Sequence, residues 1–186
     1  NIKKKILNAL YPNSLIPQNI SIEGLIDSKN NFGKLIIDAP LFEYNEIKFN
    51  QIHFEVNTKN PDYNSLLSVK NISNKYFKLN NFNLTSKKIF DSLYFKSEFD
   101  NNDDNGPYQI NIYHTQDKFK NSHFAIKKST IPLGKNDWVI NPKNLNTQNL
   151  SYYPKNNKMK LSELTAHSGD QFISLLGSFK DFNNYN

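Results

Sequence analysis

The stretch IKFNQIHFEV, residues 47–56, decides the fold. It alternates apolar and polar residues, loses step at Asn50-Gln51, and then alternates again. Successive side chains on an undisturbed strand point to opposite faces. Ile47 and Phe49 would then face one way and Ile52, Phe54 and Val56 the other. The same pattern returns as FKLNNFNLTS at 77–86. MKLSELTAHS at 159–168 begins the same way, with Ser162 in the place of the Asn, and AIKKSTIPL at 125–133 is a looser copy. One extra residue in one strand of an antiparallel pair makes a bulge, which returns the apolar side chains to one face. Asn suits such a place because it tolerates unusual backbone angles and bonds to nearby backbone groups. A tight turn at Asn50-Gln51 between two very short strands is the other reading, and the sequence leaves both open.

The rest of the chain is strand-like too. NISIEGLI (19–26), GKLIIDA (33–39), SLLSVKNI (65–72), SLYFKSEF (92–99), YQINIYHT (108–115), NDWVIN (136–141) and QFISLLGSF (171–179) are short and rich in β-branched or aromatic residues. Clusters of Asn, Asp, Gly and Pro bound them, as turns require. IKKKILNAL (2–10), stopped by Pro12, carries Ile2, Ile6 and Leu10 at helical spacing and predicts one short helix. The expected fold is all-β. About a dozen antiparallel strands would span 1–186 as one β-repeat segment. Repetition of a strand pattern along the chain favours an extended, nearest-neighbour sheet that curls over an apolar groove.

Bulk composition bounds the function. The chain has 186 residues, is 37% hydrophobic and 13% aromatic, and carries a net charge of +6. The aromatic content is too high for a disordered segment, and no apolar run approaches the ~18 residues that cross a bilayer as a helix. The positive charge does not imply nucleic acid. All 23 cationic residues are Lys, whereas bidentate reading of phosphates and bases relies on Arg. With no Cys there is neither a disulfide framework nor a thiolate metal site. The chain starts at Asn1 without initiator Met or signal peptide and reads as an internal segment of a longer protein.

Catalytic signatures are thin. His53, His114, His123 and His167 each stand alone in the sequence, with no second His at ligand spacing. DNNDDNG (100–106) resembles a calcium loop, but Gly106 comes one place late and Asn111 stands where a bidentate Glu belongs. Ser168-Gly169-Asp170 lacks the frame of a nucleophile elbow. Trp138, and the pair Tyr152-Tyr153, could serve as a sugar platform, yet Asp137 is the lone acid beside Trp138. The expectation is a protein that is not an enzyme and uses neither metal nor cofactor.

The order FDSLYFKSEFD, GPYQINIYHT, FAIKKSTIPLGKNDWVINP and MKLSELTAHSGDQFISLLGSF resembles the TamB family, the inner-membrane component of the translocation and assembly module, in its Bacteroidetes form. The strand Ser129 to Leu133, the short turn, Trp138 and then Asn141-Pro142 carry most of the likeness, with the closing Leu176-Gly177. It covers most of residues 40–182. The resemblance implies a periplasmic segment of a protein anchored to the inner membrane elsewhere in its chain. Such AsmA-like bridge proteins form a β-taco whose apolar groove carries phospholipid acyl chains between the two membranes, and they partner an Omp85-type outer-membrane assembly protein. The groove floor expected here is Ile47, Phe49, Ile52, Phe54 and Val56, then Phe77, Leu79, Phe82 and Leu84, then Ile126, Ile131, Leu133, Met159, Leu161 and Leu164. Open strand edges would also favour edge-to-edge self-association. The competing reading is a structural or adhesive β module of a surface protein, with the same residues sealed in a closed core.

Overall fold

The computed structural model describes residues 14–15, 19–101, 106–133 and 136–180. The helix expected at 2–10 and the middle of the DNNDDNG turn lie outside these residues. Among the described residues the fold is all-β. Its strands are β1 (Ser14–Leu15), β2 (Ser21–Asp27), β3 (Phe32–Tyr44), β4 (Ile47–Asn57), β5 (Ser65–Ser73), β6 (Lys78–Ile89), β7 (Ser92–Asn101), β8 (Tyr108–Gln116), β9 (Ser122–Ile126), β10 (Ser129–Leu133), β11 (Asn136–Ile140), β12 (Asn149–Tyr153), β13 (Lys158–Ser168) and β14 (Gln171–Lys180). The only helical element among the described residues is a 3-10 turn at Pro154–Asn156. β12 escapes the sequence reading because its five residues sit in an Asn-rich run that resembles a loop. The strands group into two compact units, the first ending within β6 at Thr85 and taking in 98–101, the second made from 86–97 and the residues after 105.

In the first unit β4 lies between β3 and β5, while β2 and β1 share the other edge of β3. Register explains the slip at Asn50-Gln51. Phe49 pairs with Phe42 and Ile72, Ile52 with Ala39 and Val69, and Phe54 with Ile37 and Leu67. Pairing continues without a shift on both sides of β4, so no strand carries an extra residue there. Both readings of the slip are therefore corrected: Asn50-Gln51 is neither a bulge nor a turn. The step falls at one level across three neighbouring strands, at Pro40-Leu41 on β3, Asn50-Gln51 on β4 and Lys70-Asn71 on β5. β6 follows: Ser68 Oγ donates to Asn83 (2.6 Å) and Asn71 Nδ2 to Asn80 (2.8 Å), three residues apart on each strand. Gln51 and Asn81 take up the step with φ of 51° and 52°. A left-handed residue inside a strand re-aims the side chains after it at a local cost of about 1–2 kcal/mol. Gln51 itself pairs with neither Pro40 nor Lys70, but the register on both sides of the step is the same, so the interruption is confined to one residue level.

In the second unit the bulge expectation holds in two places. β8 pairs with both β9 and β10, with Ile112 opposite Ile126 and Gln109 opposite Thr130. Between these pairs, two residues on β8 (Ile110 and Asn111) thus face three on the other side (Lys127, Lys128 and Ser129), one more than an even ladder holds. Ser129, 1% exposed, stitches this bulge: its hydroxyl accepts Asn111 N–H and donates to the Lys127 carbonyl, both at 2.9 Å. The second bulge is in β13, where Leu161 pairs with Gly177 but Leu164 with Leu175. Ser162 and Glu163 share one place, as the Ser in MKLSELT predicts.

β11 and β12 lie end to end along β13, with Ile140 opposite Ala166 and Leu150 opposite Leu161. The chain joining them turns on Asn141, which is 0% exposed and left-handed at φ 47°. Its Nδ2 donates to the carbonyls of Ile126 and Leu145 (2.9 Å each), its Oδ1 accepts Leu145 N–H (2.8 Å), and its backbone N–H donates to Thr165 O (2.8 Å). Gln148 completes the closure by bonding Thr165 through both its amide atoms. The gap between β11 and β12 is thereby bridged by hydrogen bonds to the backbone of Ile126, Leu145 and Thr165.

Candidate functional site

Neither unit seals its large apolar side chains. The buried hydrophobic residues among those described are Ala39, Val69 and Ala125, and no Ile, Leu, Phe, Met, Tyr or Trp joins them. In a closed sandwich the two inner faces would bury such residues against each other.

The expected floor residues fall into cross-strand rows. In the first unit Phe49 meets Phe42 with ring centroids 5.8 Å apart, Phe82 meets Phe99 at 6.1 Å, and Ile52 sits between Ala39 and Val69. Phe54 lies between Ile37 and Leu67, Val56 opposite Leu35, and Ile47 opposite Tyr44. Leu79 and Leu84 are on β6, half-buried. Phe77 stands apart: it precedes β6 in a turn closed by Asn74 and is 40% exposed.

In the second unit Leu161 pairs with Leu150 and Leu150 with Phe124, Ile126 pairs with Ile112, and Met159 lies between Tyr152 and Phe179. Ile131 is opposite Trp138, and Leu133 closes β10, exposed. The β13 bulge returns Leu164 to the face of Leu161, because the extra residue absorbs one change of side. Ile126, Leu161 and Leu164 then line one cavity of about 320 Å³ with Ile112, Phe124 and Leu150. The last three were missed by pattern reading. Their signal was the alternation Ile110, Ile112, His114 on β8, which becomes informative only once β9 and β12 are known neighbours. The one long polar side chain in the lining, Gln148, is spent on Thr165. Such a cavity lies at the small end of the ~300–1,000 Å³ range of ligand pockets, and its chemistry is hydrocarbon contact.

The histidines find partners from neighbouring strands and turns rather than along their own strands. His53 Nδ1 is 2.7 Å from Asp38 Oδ1, and His123 lies 2.8 Å from Ser151 Oγ and 3.5 Å from Asp117 Oδ2. His167 meets the Phe172 ring at 4.8 Å. Asp38, His53 and Ser68 are adjacent in register, but the Ser68 hydroxyl donates to Asn83 rather than to the imidazole. Among the described residues no group of three His, Asp or Glu is placed to hold a metal ion.

Asp117 organises the turn between β8 and β9. Its carboxylate accepts the N–H groups of Phe119 (2.8 Å) and Asn121 (3.0 Å) and the Asn121 side-chain amide (2.8 Å). The Asn121 side-chain bond, then the backbone bonds and His123, outweigh desolvation and hold its pKa below the ordinary 3.8. A carboxyl depressed in the folded state stabilises above its unfolded pKa and loses that contribution as pH falls through the folded value. Amide exchange at Phe119 and Asn121 is therefore expected to lose protection only below about pH 3.8. Loss of protection at either amide between pH 7 and 5 would contradict this account of the turn.

Comparison with protein-family models, with curated proteins and with solved structures finds no match to this chain. The class that the geometry defines is an all-β antiparallel protein with open apolar sheet faces.

Proposed function

We propose that this chain is a non-enzymatic periplasmic lipid-conduit segment of the TamB type. Its apolar faces hold phospholipid acyl chains in passage between inner and outer membranes, and in the whole protein it supports outer-membrane protein assembly with an Omp85-type partner. The observation that carries this reading is the pairing of apolar rows in each unit with the absence of any buried Ile, Leu, Phe or Met among the described residues. Exposing an acyl chain to water costs about 0.8 kcal/mol per CH₂, so a sixteen-carbon tail costs about 13 kcal/mol. A floor of Ile, Leu and Phe removes most of that barrier without a catalytic group. The outward edges of β2 and β14 have no strand partner among the described residues, which suits the expected edge-to-edge association.

The test is photo-crosslinking in cells labelled with radioactive phosphate. A crosslinking amino acid at Phe82, half-buried and against Phe99, is expected to yield phospholipid adducts. At Asn83, exposed and bonded to Ser68 on the other side of the sheet, it is expected to yield none. Adducts at neither site in a folded protein would mean that another protein surface covers Phe82, and the structural-module reading would replace this one.

A further inference from the structure

Among the described residues, two polar side-chain atoms of the second unit, His114 Nε2 and Ser168 Oγ, are buried without a partner, and His114 is the one in the row that runs into the cavity. His114 Nε2 is shut off from solvent and makes no hydrogen bond. His114 stands opposite Phe124 in the β8–β9 register, and their rings stack with centroids 4.4 Å apart at an interplanar angle of 23°. Phe124 continues through Leu150 to Leu161. His114 therefore ends a row whose other three members line the cavity, as does Ile112 two residues before it. Phe124 is 44% exposed and forms the outer ring of the stack. A polar group kept from water without a partner is costly and rare in folded proteins. His53 and His123, by contrast, both have carboxylates and keep no such orphan.

We infer that His114 is a polar anchor at the end of this cavity, donating its Nε2–H to the carbonyl oxygen of an acyl group whose hydrocarbon lies along Leu150, Leu161 and Leu164. The inference rests on the lipid reading of the face and specifies the chemistry that the face selects: an acyl ester or free acid over plain hydrocarbon. Entry requires the outer Phe124 ring to swing aside, a rotamer change that exposed side chains make in picoseconds to nanoseconds. The hydrocarbon gains contact with the leucines in either case, and within an acyl chain the carbonyl oxygen is the atom that meets the need of Nε2.

Three fluorescent probes test this on the full chain: diphenylhexatriene, a conjugated polyene fatty acid, and a phosphatidylcholine carrying the same polyene chain. The wild type is expected to bind all three. His114→Phe keeps a ring against Phe124 and is expected to bind diphenylhexatriene unchanged, with about fivefold to tenfold weaker binding of the carbonyl-bearing probes, the size of one lost hydrogen bond. A loss confined to the acid identifies a free fatty acid as the source, and one confined to the ester identifies an esterified lipid; both support the anchor. An equal change for all three probes, or none for any, overturns the anchor and leaves the lipid reading in place. Failure of the wild type to bind any probe overturns the lipid reading itself, and the anchor with it. Should His114→Phe not fold, Phe124→Ala bares Nε2 without removing it. That variant is expected to raise the affinity ratio of acid to hydrocarbon, and an unchanged ratio overturns the proposal.

Discussion

Replacing Asn141 by Ala is expected to lower stability by about 3–4 kcal/mol, through loss of buried hydrogen bonds and left-handed strain. The side chain is wholly buried and serves three backbone groups: the carbonyls of Ile126 and Leu145 and the N–H of Leu145. Each buried polar group left without a partner costs about 1–3 kcal/mol, and partial rehydration of the loop keeps the sum below the maximum. Ala also adopts the φ of 47° less readily than Asn does. For a chain of this size the melting temperature should fall by about 6–16 °C. Asn141→Asp tests the mechanism further, since it keeps the acceptor for Leu145 N–H but loses both donated bonds. It should be at least as damaging as Ala. A thermal melt of Asn141→Ala within a degree or two of wild type would show that Asn141 does not hold the β11–β12 junction together.

Leu164→Lys is expected to weaken binding of a hydrocarbon probe by about 10–150-fold, the equivalent of losing a leucine burial of about 1.5–3 kcal/mol. Leu164 lines the cavity and pairs with Leu175, itself 54% exposed. The substitution removes apolar contact and brings an ammonium group that must keep its hydration. Because Leu164 is only half-buried, the fold should survive, which a circular-dichroism melt checks. Lys160→Ala is the control. Lys160 is exposed and pairs with Ser151 and Ser178 on the polar side of β13, and its loss should leave probe binding unchanged. If Leu164→Lys binds as tightly as wild type, the acyl chain does not sit in this cavity.

In the proposed lipid site, the His114 anchor and the Leu164 floor would divide the work. Leucines remove the hydrocarbon from water without direction, while a single imidazole can set how far along the row the acyl head comes to rest. Nonpolar contact is tolerant of chain type, so a surface that passes lipids along needs few directional groups.

Period-two alternation in IKFNQIHFEV and its copies determined the strands, their antiparallel class and most of the apolar face, because side-chain direction in a strand is local and depends only on sequence parity. MKLSELT even located a bulge, since Ser162 marks the place where parity fails within one strand. The same failure of parity at Asn50-Gln51 had a different cause, and the sequence of that strand is silent on which. A bulge is an extra residue relative to a neighbour, and only pairing with β3 and β5 reveals that the neighbours take the same step. The cavity lay beyond reach for a related reason. Phe124, Leu150 and Leu161 are brought together by hydrogen bonds among β9, β12 and β13, and β12 looks like a loop in isolation. Strand pairing gave His53 its carboxylate, left His114 without one, and turned Asn141 from the end of an expected strand into a buried junction. These are properties of which strands become neighbours, set by the free energy of the whole sheet rather than by any one segment.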